Sequence, residues 1–167
     1  LIWWLLGKPL YWRSSNLIKV CDAGLKRSES APFLLFQQGK VRLEMERAEA
    51  CALLGQYVQE TALIKHCVAV EIAMRAYAKR FNESEEYWGT VGLLHDIDFE
   101  LYPHEHPHHA REILGKAGFD EAFIVNVESH ARDWPEERSL LQKTLLSVDE
   151  MTGFVIACAL VRPDRSL

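Results

Sequence analysis

Apolar residues recur at helical spacing along most of the chain after Met45. The first such segment, residues 45–58, has its apolar positions near one face of a helix, at Ala48, Cys51, Ala52, Leu54 and Val58. Residues 62–81 form a longer segment that is apolar on nearly all sides. No segment shows the sustained alternation of apolar and polar residues that predicts a strand. The pattern therefore predicts an all-α fold, a helical bundle.

Capping residues and helix breakers divide the rest of the chain into four further helices. Asn82, with Glu85 three positions later, predicts the start of a helix that runs to about His95. Pro103 and Pro107 mark a histidine-rich loop. The later helices are predicted at residues 108–116, ended by Gly118, at residues 121–130 after a cap at Asp120, and at residues 136–161 before Pro163.

Composition divides the chain at Met45. Residues 1–44 carry 7 Lys or Arg and 3 acidic residues, whereas residues 45–167 carry 12 and 21. The first stretch also lacks a sustained period of 3.6 or 2. We expect residues 1–44 to be an atypical stretch upstream of the natural start; the alternative is an N-terminal extension that covers one face of the domain.

Net charge and segment lengths exclude several classes of protein. The formal charge of -5 argues against a nucleic-acid binder with a broad basic patch. The apolar opening, residues 1–6, is far shorter than the roughly 20 residues of a membrane span, and it lacks the basic start of a signal peptide. The four cysteines form no C-x-x-C pair. We therefore expect a cytoplasmic protein that binds neither nucleic-acid polymers nor membranes.

Three polar features stand in apolar helical surroundings. His66 lies beside alanines within residues 62–81, and a buried imidazole needs hydrogen-bond partners. His95 and Asp96 end an apolar run. Asp149 emerges from a mostly apolar helix face, where an unpaired carboxylate is costly. Singly, each also fits a plainer interpretation: a satisfied core histidine, a solvated helix end, or a salt bridge to Arg111.

Together, two imidazoles and two carboxylates on three helices compose a ligand shell suited to a borderline divalent cation. The order His66, then His95-Asp96, then Asp149 resembles the HD superfamily of metal-dependent phosphohydrolases, whose signature is H...HD...D. The chain is most similar to the small bacterial predicted hydrolases of the HDIG type, over nearly all of residues 45–163. The resemblance implies an HD-domain helical bundle in which these four residues hold a divalent metal ion.

The sequence departs from the His-Asp-Ile-Gly-Lys form of that family. It reads His95-Asp96-Ile97-Asp98-Phe99, so the lysine is missing, and Asp98 and Glu100 supply two carboxylates close to the implied metal. These two residues could act as general base or proton shuttle, or they could hydrogen-bond the ligand histidines. Solvated loop carboxylates are the alternative.

Two further histidines match positions that other HD proteins use. The resemblance implies that His106, before Pro107, and His130, after the next helix, contact a second metal or the substrate. A second ion could share Asp96 with the first, at the separation of about 3.5 to 4 Å that two-metal hydrolases use. For the substrate phosphate the candidates are Arg132 and Arg111, and Arg132 is preferred because it follows His130. His104, His108 and His109 are expected at the surface.

The resemblance implies hydrolysis of a phosphate ester or anhydride, in a nucleotide or a small phosphorylated metabolite, by metal-activated water. The cofactor would be one or two ions of Mn, Fe, Zn, Ni or Mg. The alternatives are a di-iron HD-type oxygenase and a non-catalytic HD signalling or binding module. Because related proteins commonly continue with more helix, we expect that the domain, residues 45–167, is truncated at the C-terminus.

Overall fold

The computed structural model describes residues 45–131 and 133–163 of the chain. Within these residues the backbone forms six helices, which confirms the all-α prediction. They are α1 (Arg47–Tyr57), α2 (Thr61–Phe81), α3 (Glu85–Leu94), α4 (Ala110–Lys116), α5 (Glu121–Glu128) and α6 (Leu140–Val161). The predictions for residues 1–44 and for residues beyond 163 lie outside the described part of the chain.

Helix α2 buries one face, although its sequence is apolar on nearly all sides: Ile72 is 61% exposed. It packs against α3 on one side and α6 on another, and its buried residues include His66, Val70 and Met74. Close approach of α3 requires Gly92, because a Cβ atom there would lie 2.9 Å from Cγ of Met74 and 3.2 Å from the carbonyl oxygen of Val70. This glycine brings the end of α3, with His95 and Asp96, against α2.

The junction between α2 and α3 differs from the prediction. Asn82 has a φ of 58° and a ψ of 41°, and its N–H group bonds to carbonyls of the last turn of α2, so it ends that helix. Asparagine tolerates this left-handed conformation better than most residues. Ser84 caps α3 instead, accepting a hydrogen bond from the N–H of Tyr87 at 3.2 Å. The prediction that Asn82 opens α3 is therefore wrong by two residues.

The later helices are shorter than predicted. The cap predicted at Asp120 is confirmed, since its side chain accepts a hydrogen bond from the N–H of Phe123 at 2.8 Å. Helix α5 ends at Glu128 rather than at residue 130. Helix α6 begins at Leu140 rather than at residue 136, because Ser139 and Gln142 form a capping box there.

Helix α6 is buried in its first half and exposed in its second. Leu141, Leu145 and Val148 are buried, whereas Met151 and Phe154 are more than half exposed. By length and composition alone α6 could cross a membrane, and it is the one such helix found within the described residues. Its first half nevertheless packs against α2 as part of the bundle.

Candidate metal centre

The four residues predicted as metal ligands meet at one place, where the end of α3 and the middle of α6 reach α2. Nε2 of His66 lies 3.2 Å from Nε2 of His95 and 3.0 Å from Oδ1 of Asp149. Oδ2 of Asp96 lies 3.4 Å from Nε2 of His95 and 3.6 Å from Nε2 of His66. The packing of the three helices therefore brings the four predicted ligands, which are distant in sequence, to a common point.

Helix geometry orients the two histidines of this first group. His66 lies on the buried side of α2, with Nδ1 3.4 Å from Oγ1 of Thr152. His95 is the first residue after α3 and is completely buried. Nδ1 of His95 donates to the carbonyl oxygen of Gly92 at 2.8 Å. Both rings therefore direct Nε2 towards the carboxylates of Asp96 and Asp149.

A second group lies on the other side of Asp96. Oδ1 of Asp96 is 3.2 Å from Nε2 of His106 and 3.8 Å from Nε2 of His130, while the two Nε2 atoms are 2.8 Å apart. The ligand atoms of His66, His95 and Asp96 lie within 4.8 Å of one another, and so do those of Asp96, His106 and His130. Asp96 is thus shared by two groups that could each hold a metal ion.

Burial and charge together shift the pKa values of these residues. Burial alone would lower the pKa of His95, but Asp96 and Asp149 raise it to about 9. Burial would likewise lower the pKa of His106, but Asp96 and Asp98 raise it to about 9. The histidines in turn hold the pKa of Asp96 and of Asp149 well below the usual range, against the effect of burial.

The pKa of His130 moves in the opposite direction. Burial, followed by the charges of His95 and His106, lowers it to about 4. At neutral pH His130 is therefore a neutral imidazole, which is the form that binds a metal ion.

The donor set fits a divalent cation. Nε2 of His106 and Nε2 of His130 lie 2.8 Å apart, and the Nδ1 atoms of both rings face acceptor oxygens, so two neutral rings would oppose their Nε2 lone pairs. An added proton between them relieves this at the cost of holding extra charge in a buried site. Nε2 of His66 and Nε2 of His95, 3.2 Å apart, both lie near the carboxylates of Asp96 and Asp149. A borderline cation suits both pairs, since imidazole nitrogens and carboxylate oxygens are the ligands such ions prefer.

The two loop carboxylates considered for proton transfer have different surroundings. Asp98 is completely buried, which excludes the solvated alternative, and its Oδ1 accepts a hydrogen bond from Nδ1 of His106 at 2.6 Å. Oε2 of Glu100 accepts from the backbone N–H groups of Gln59 and Glu60 at 2.7 and 2.9 Å. The contacts of Glu100 lie at the start of α2, and its expected part in proton transfer stays a prediction.

Of the two arginines expected to meet a substrate phosphate, Arg111 lies within the described residues, and its ion pairs are with carboxylates outside the two groups of candidate ligands. Arg111 forms ion pairs with two carboxylates, those of Glu128 at 2.6 Å and Glu121 at 2.7 Å. These contacts hold α4 to α5, and the phosphate role expected for Arg111 stays a prediction. Arg132 lies outside the described residues.

The remaining histidines lie at the surface or close to it. His104 and His108 are exposed, as predicted. His109 is half-buried, with its ring stacked on Tyr102 at 3.8 Å between centroids and its Nε2 2.9 Å from Oε2 of Glu105.

One positioning contact was missed by the sequence analysis. The guanidinium group of Arg138 donates hydrogen bonds to the carbonyl oxygens of Ser129 at 2.8 Å and Ala131 at 2.6 Å. These carbonyls flank His130 on either side. Because Arg138 lies in an irregular connection, no periodic signal could have predicted this contact.

Comparison with known proteins agrees with the geometry. The model of the HD domain family matches residues 63–152, more than half of the chain, and this range contains both groups of candidate ligands. No curated protein and no solved structure gave a match. The family match, the all-helical bundle and the convergence of the histidine and aspartate side chains together show that this chain belongs to the HD domain family.

Proposed function

We propose that this protein is a metal-dependent phosphohydrolase that cleaves a phosphate ester or anhydride in a nucleotide or small phosphorylated metabolite. The observation that carries the proposal is the position of Asp96, whose two oxygens face different histidines: Oδ2 lies near His66 and His95, and Oδ1 lies near His106 and His130. A carboxylate that bridges two imidazole groups is suited to hold two cations close together.

His66, His95, Asp96 and Asp149 would hold the first ion, and Asp96, His106 and His130 would hold the second. A bound divalent ion supplies Lewis acidity, which lowers the pKa of water from 15.7 towards about 7 and polarises a phosphoryl oxygen. The mixed nitrogen and oxygen ligands are compatible with Mn, Fe, Zn, Ni or Mg. Membership of the small bacterial HDIG type belongs to the same proposal.

The protein side chains would orient the reactants and hold protons. The hydrogen bond from His95 to the carbonyl of Gly92 keeps one ring nitrogen protonated and the other directed inward. His130 is neutral at pH 7, because burial and neighbouring imidazoles lower its pKa to about 4, and its Nε2 can therefore donate a lone pair to a metal ion or accept a proton. Arg132, the residue after His130, remains the candidate for binding the substrate phosphate.

Charge supports a small substrate. The formal charge of -5 disfavours nucleic-acid polymers, whose binding depends on clustered Lys and Arg. We infer that the protein acts in the cytoplasm on a soluble phosphorylated compound, without a membrane partner.

A second candidate function has one specific observation in its favour. With His106 and His130, which lie near Asp96, the cluster contains four histidines and two aspartates. This ligand count is compatible with a di-iron oxygenase. Two tightly bound irons in the purified protein, without phosphatase activity, would select this function. A non-catalytic binding module is less well supported, since it has no need for buried charged ligands; metal-free protein of full stability would favour it.

The double variant His95→Ala/Asp96→Ala tests the proposed function. We expect it to lose both bound metal, measured by elemental analysis, and metal-stimulated hydrolysis, measured across nucleotides and small phosphate esters. The matched control is His104→Ala, which removes an exposed histidine of the following loop and should retain both. Unchanged turnover in the double variant would remove the mechanism.

A further inference from the structure

Asp98 is completely buried, and its two carboxylate oxygens bind different groups. Oδ1 accepts a hydrogen bond from Nδ1 of His106 at 2.6 Å. Oδ2 accepts from the backbone N–H groups of His109 and Ala110 at 3.1 and 3.0 Å. These N–H groups stand at the start of α4, where a helix leaves its donors without intrahelical partners. Asp98 therefore holds both a candidate ligand and the helix that follows it.

The contact between Asp98 and His106 determines which ring nitrogen is protonated. An ionised carboxylate can only accept hydrogen bonds, so Nδ1 of His106 must carry the proton. In the neutral ring Nε2 is then unprotonated and available to a metal ion. This Nε2 atom lies 3.2 Å from Oδ1 of Asp96 and 2.8 Å from Nε2 of His130.

His95 and His130 obtain the same orientation by another means. Nδ1 of His95 contacts the carbonyl oxygen of Gly92, and Nδ1 of His130 contacts that of Val127, in each case three residues earlier at a helix end. Because a carbonyl oxygen can only accept, both rings carry their proton on Nδ1 and turn Nε2 inward. His106 lies in the loop before α4, where Asp98 supplies the acceptor that helix ends supply to the other two.

We propose that Asp98 is a positioning residue that fixes the tautomer of His106 and thereby creates the second ion-binding position, formed by Asp96, His106 and His130. This inference rests on the proposed function, because it assigns a role within the same metal centre. It also replaces the expected part of Asp98 in proton transfer, since both of its oxygens are occupied by protein donors.

The variant Asp98→Asn separates this role from helix capping. The carbonyl oxygen of an asparagine can still accept from the N–H groups of His109 and Ala110, which places its NH₂ group opposite Nδ1 of His106. Two donors cannot share that hydrogen bond, so the ring must move its proton to Nε2. A ring protonated on Nε2 cannot bind a metal ion through that atom.

The test uses the full chain and two measurements. The first is the ¹⁵N NMR signature of the His106 ring in metal-free protein, at a pH above the His106 pKa of about 9. The second is a titration with Mn²⁺ alone, by equilibrium dialysis, which gives the number and the affinity of bound ions. The matched control is Asp120→Asn, the same substitution at a residue that caps α5.

We expect Nδ1–H in the original protein and Nε2–H in Asp98→Asn, with the second Mn²⁺ bound about 10- to 100-fold more weakly and the first unchanged. Asp120→Asn should alter neither measurement. An Nε2–H ring in the original protein overturns the inference without any variant, and so does Asp98→Asn with two ions bound at unchanged affinity. If the original protein binds no Mn²⁺, that result counts against the proposed function itself. The Mn²⁺ titration of the original protein distinguishes this outcome from failure of the inference about Asp98.

Discussion

Nε2 of His66 lies 3.0 Å from Oδ1 of Asp149, and this contact joins α6 to the centre of the candidate metal site. The two residues come from α2 and α6, helices that pack side by side. The buried first half of α6 directs Asp149 towards His66 while the second half remains exposed. The position of this carboxylate therefore depends on the packing of α6 against α2.

Replacement of Asp149 by asparagine should remove the first ion. Asp149→Asn keeps the size of the side chain but removes the negative charge beside His66 and His95. Loss of a residue that only hydrogen-bonds to a metal ligand lowers metal affinity by roughly 10- to 100-fold. Because Asp149 is proposed as a ligand itself, we expect a larger fall in the affinity for the first ion. Ser147→Ala, at an exposed position of the same helix, is the control. Titration with Mn²⁺ measures the effect, and an unchanged affinity would exclude Asp149 as a ligand.

Loss of His130 should affect the two ions unequally. His130 lies 3.8 Å from Oδ1 of Asp96 and 2.8 Å from His106, on the side of Asp96 away from His66. We therefore expect His130→Ala to bind one ion per chain where the original protein binds two. Elemental analysis after dialysis measures the ratio. Equal loss of both ions would show that the two groups do not act as separate positions.

The stability of the metal-free protein should depend on pH in a defined direction. The pKa values of His95 and His106 are raised from 6.5 to about 9 in the folded state. Between these values the folded protein binds more protons than the unfolded chain, so the free energy of unfolding decreases as pH rises. The contribution is complete below pH 6.5 and is lost once pH rises through about 9.

His130 contributes with the opposite sign. Its pKa is lowered from 6.5 to about 4, so its contribution is complete above pH 6.5 and is lost as pH falls through about 4. Urea unfolding of metal-free protein across this pH range measures both effects. The variant His106→Gln should show a shallower decrease in stability between pH 6.5 and 9. The same slope in both proteins would contradict the assignment.

Substitution at Gly92 should weaken the packing that places the site. A methyl group at residue 92 would meet Met74 and the carbonyl of Val70, so Gly92→Ala is expected to destabilise the protein by about 1 to 3 kcal/mol. Gly55→Ala is the control, because no atom lies within 4 Å of a Cβ atom at that helical position; it should be neutral or stabilising by up to about 1 kcal/mol. Thermal unfolding measures both, and an equal effect of the two substitutions would contradict the close contact between α2 and α3.

Local sequence was sufficient for the all-helical class, and the resemblance to the HD superfamily supplied the candidate ligands. The length and the apolar composition of residues 62–81 predicted α2, because both are properties of a single stretch of sequence. The cap at Asp120 was predictable for the same reason, since its hydrogen bond to the N–H of Phe123 spans only three residues. Asn82 misled the prediction because asparagine serves both at helix starts and in left-handed helix ends.

What the sequence alone determined is therefore the all-α class and the set of histidines and aspartates available for a metal centre. Only the tertiary structure decided how Asp96 divides its oxygens between two groups, that Asp98 binds His106, and which groups Glu100 and Arg111 contact. The physical reason is range: helical periodicity and capping act within a few residues, whereas these contacts depend on how loops and helices distant in sequence meet in space.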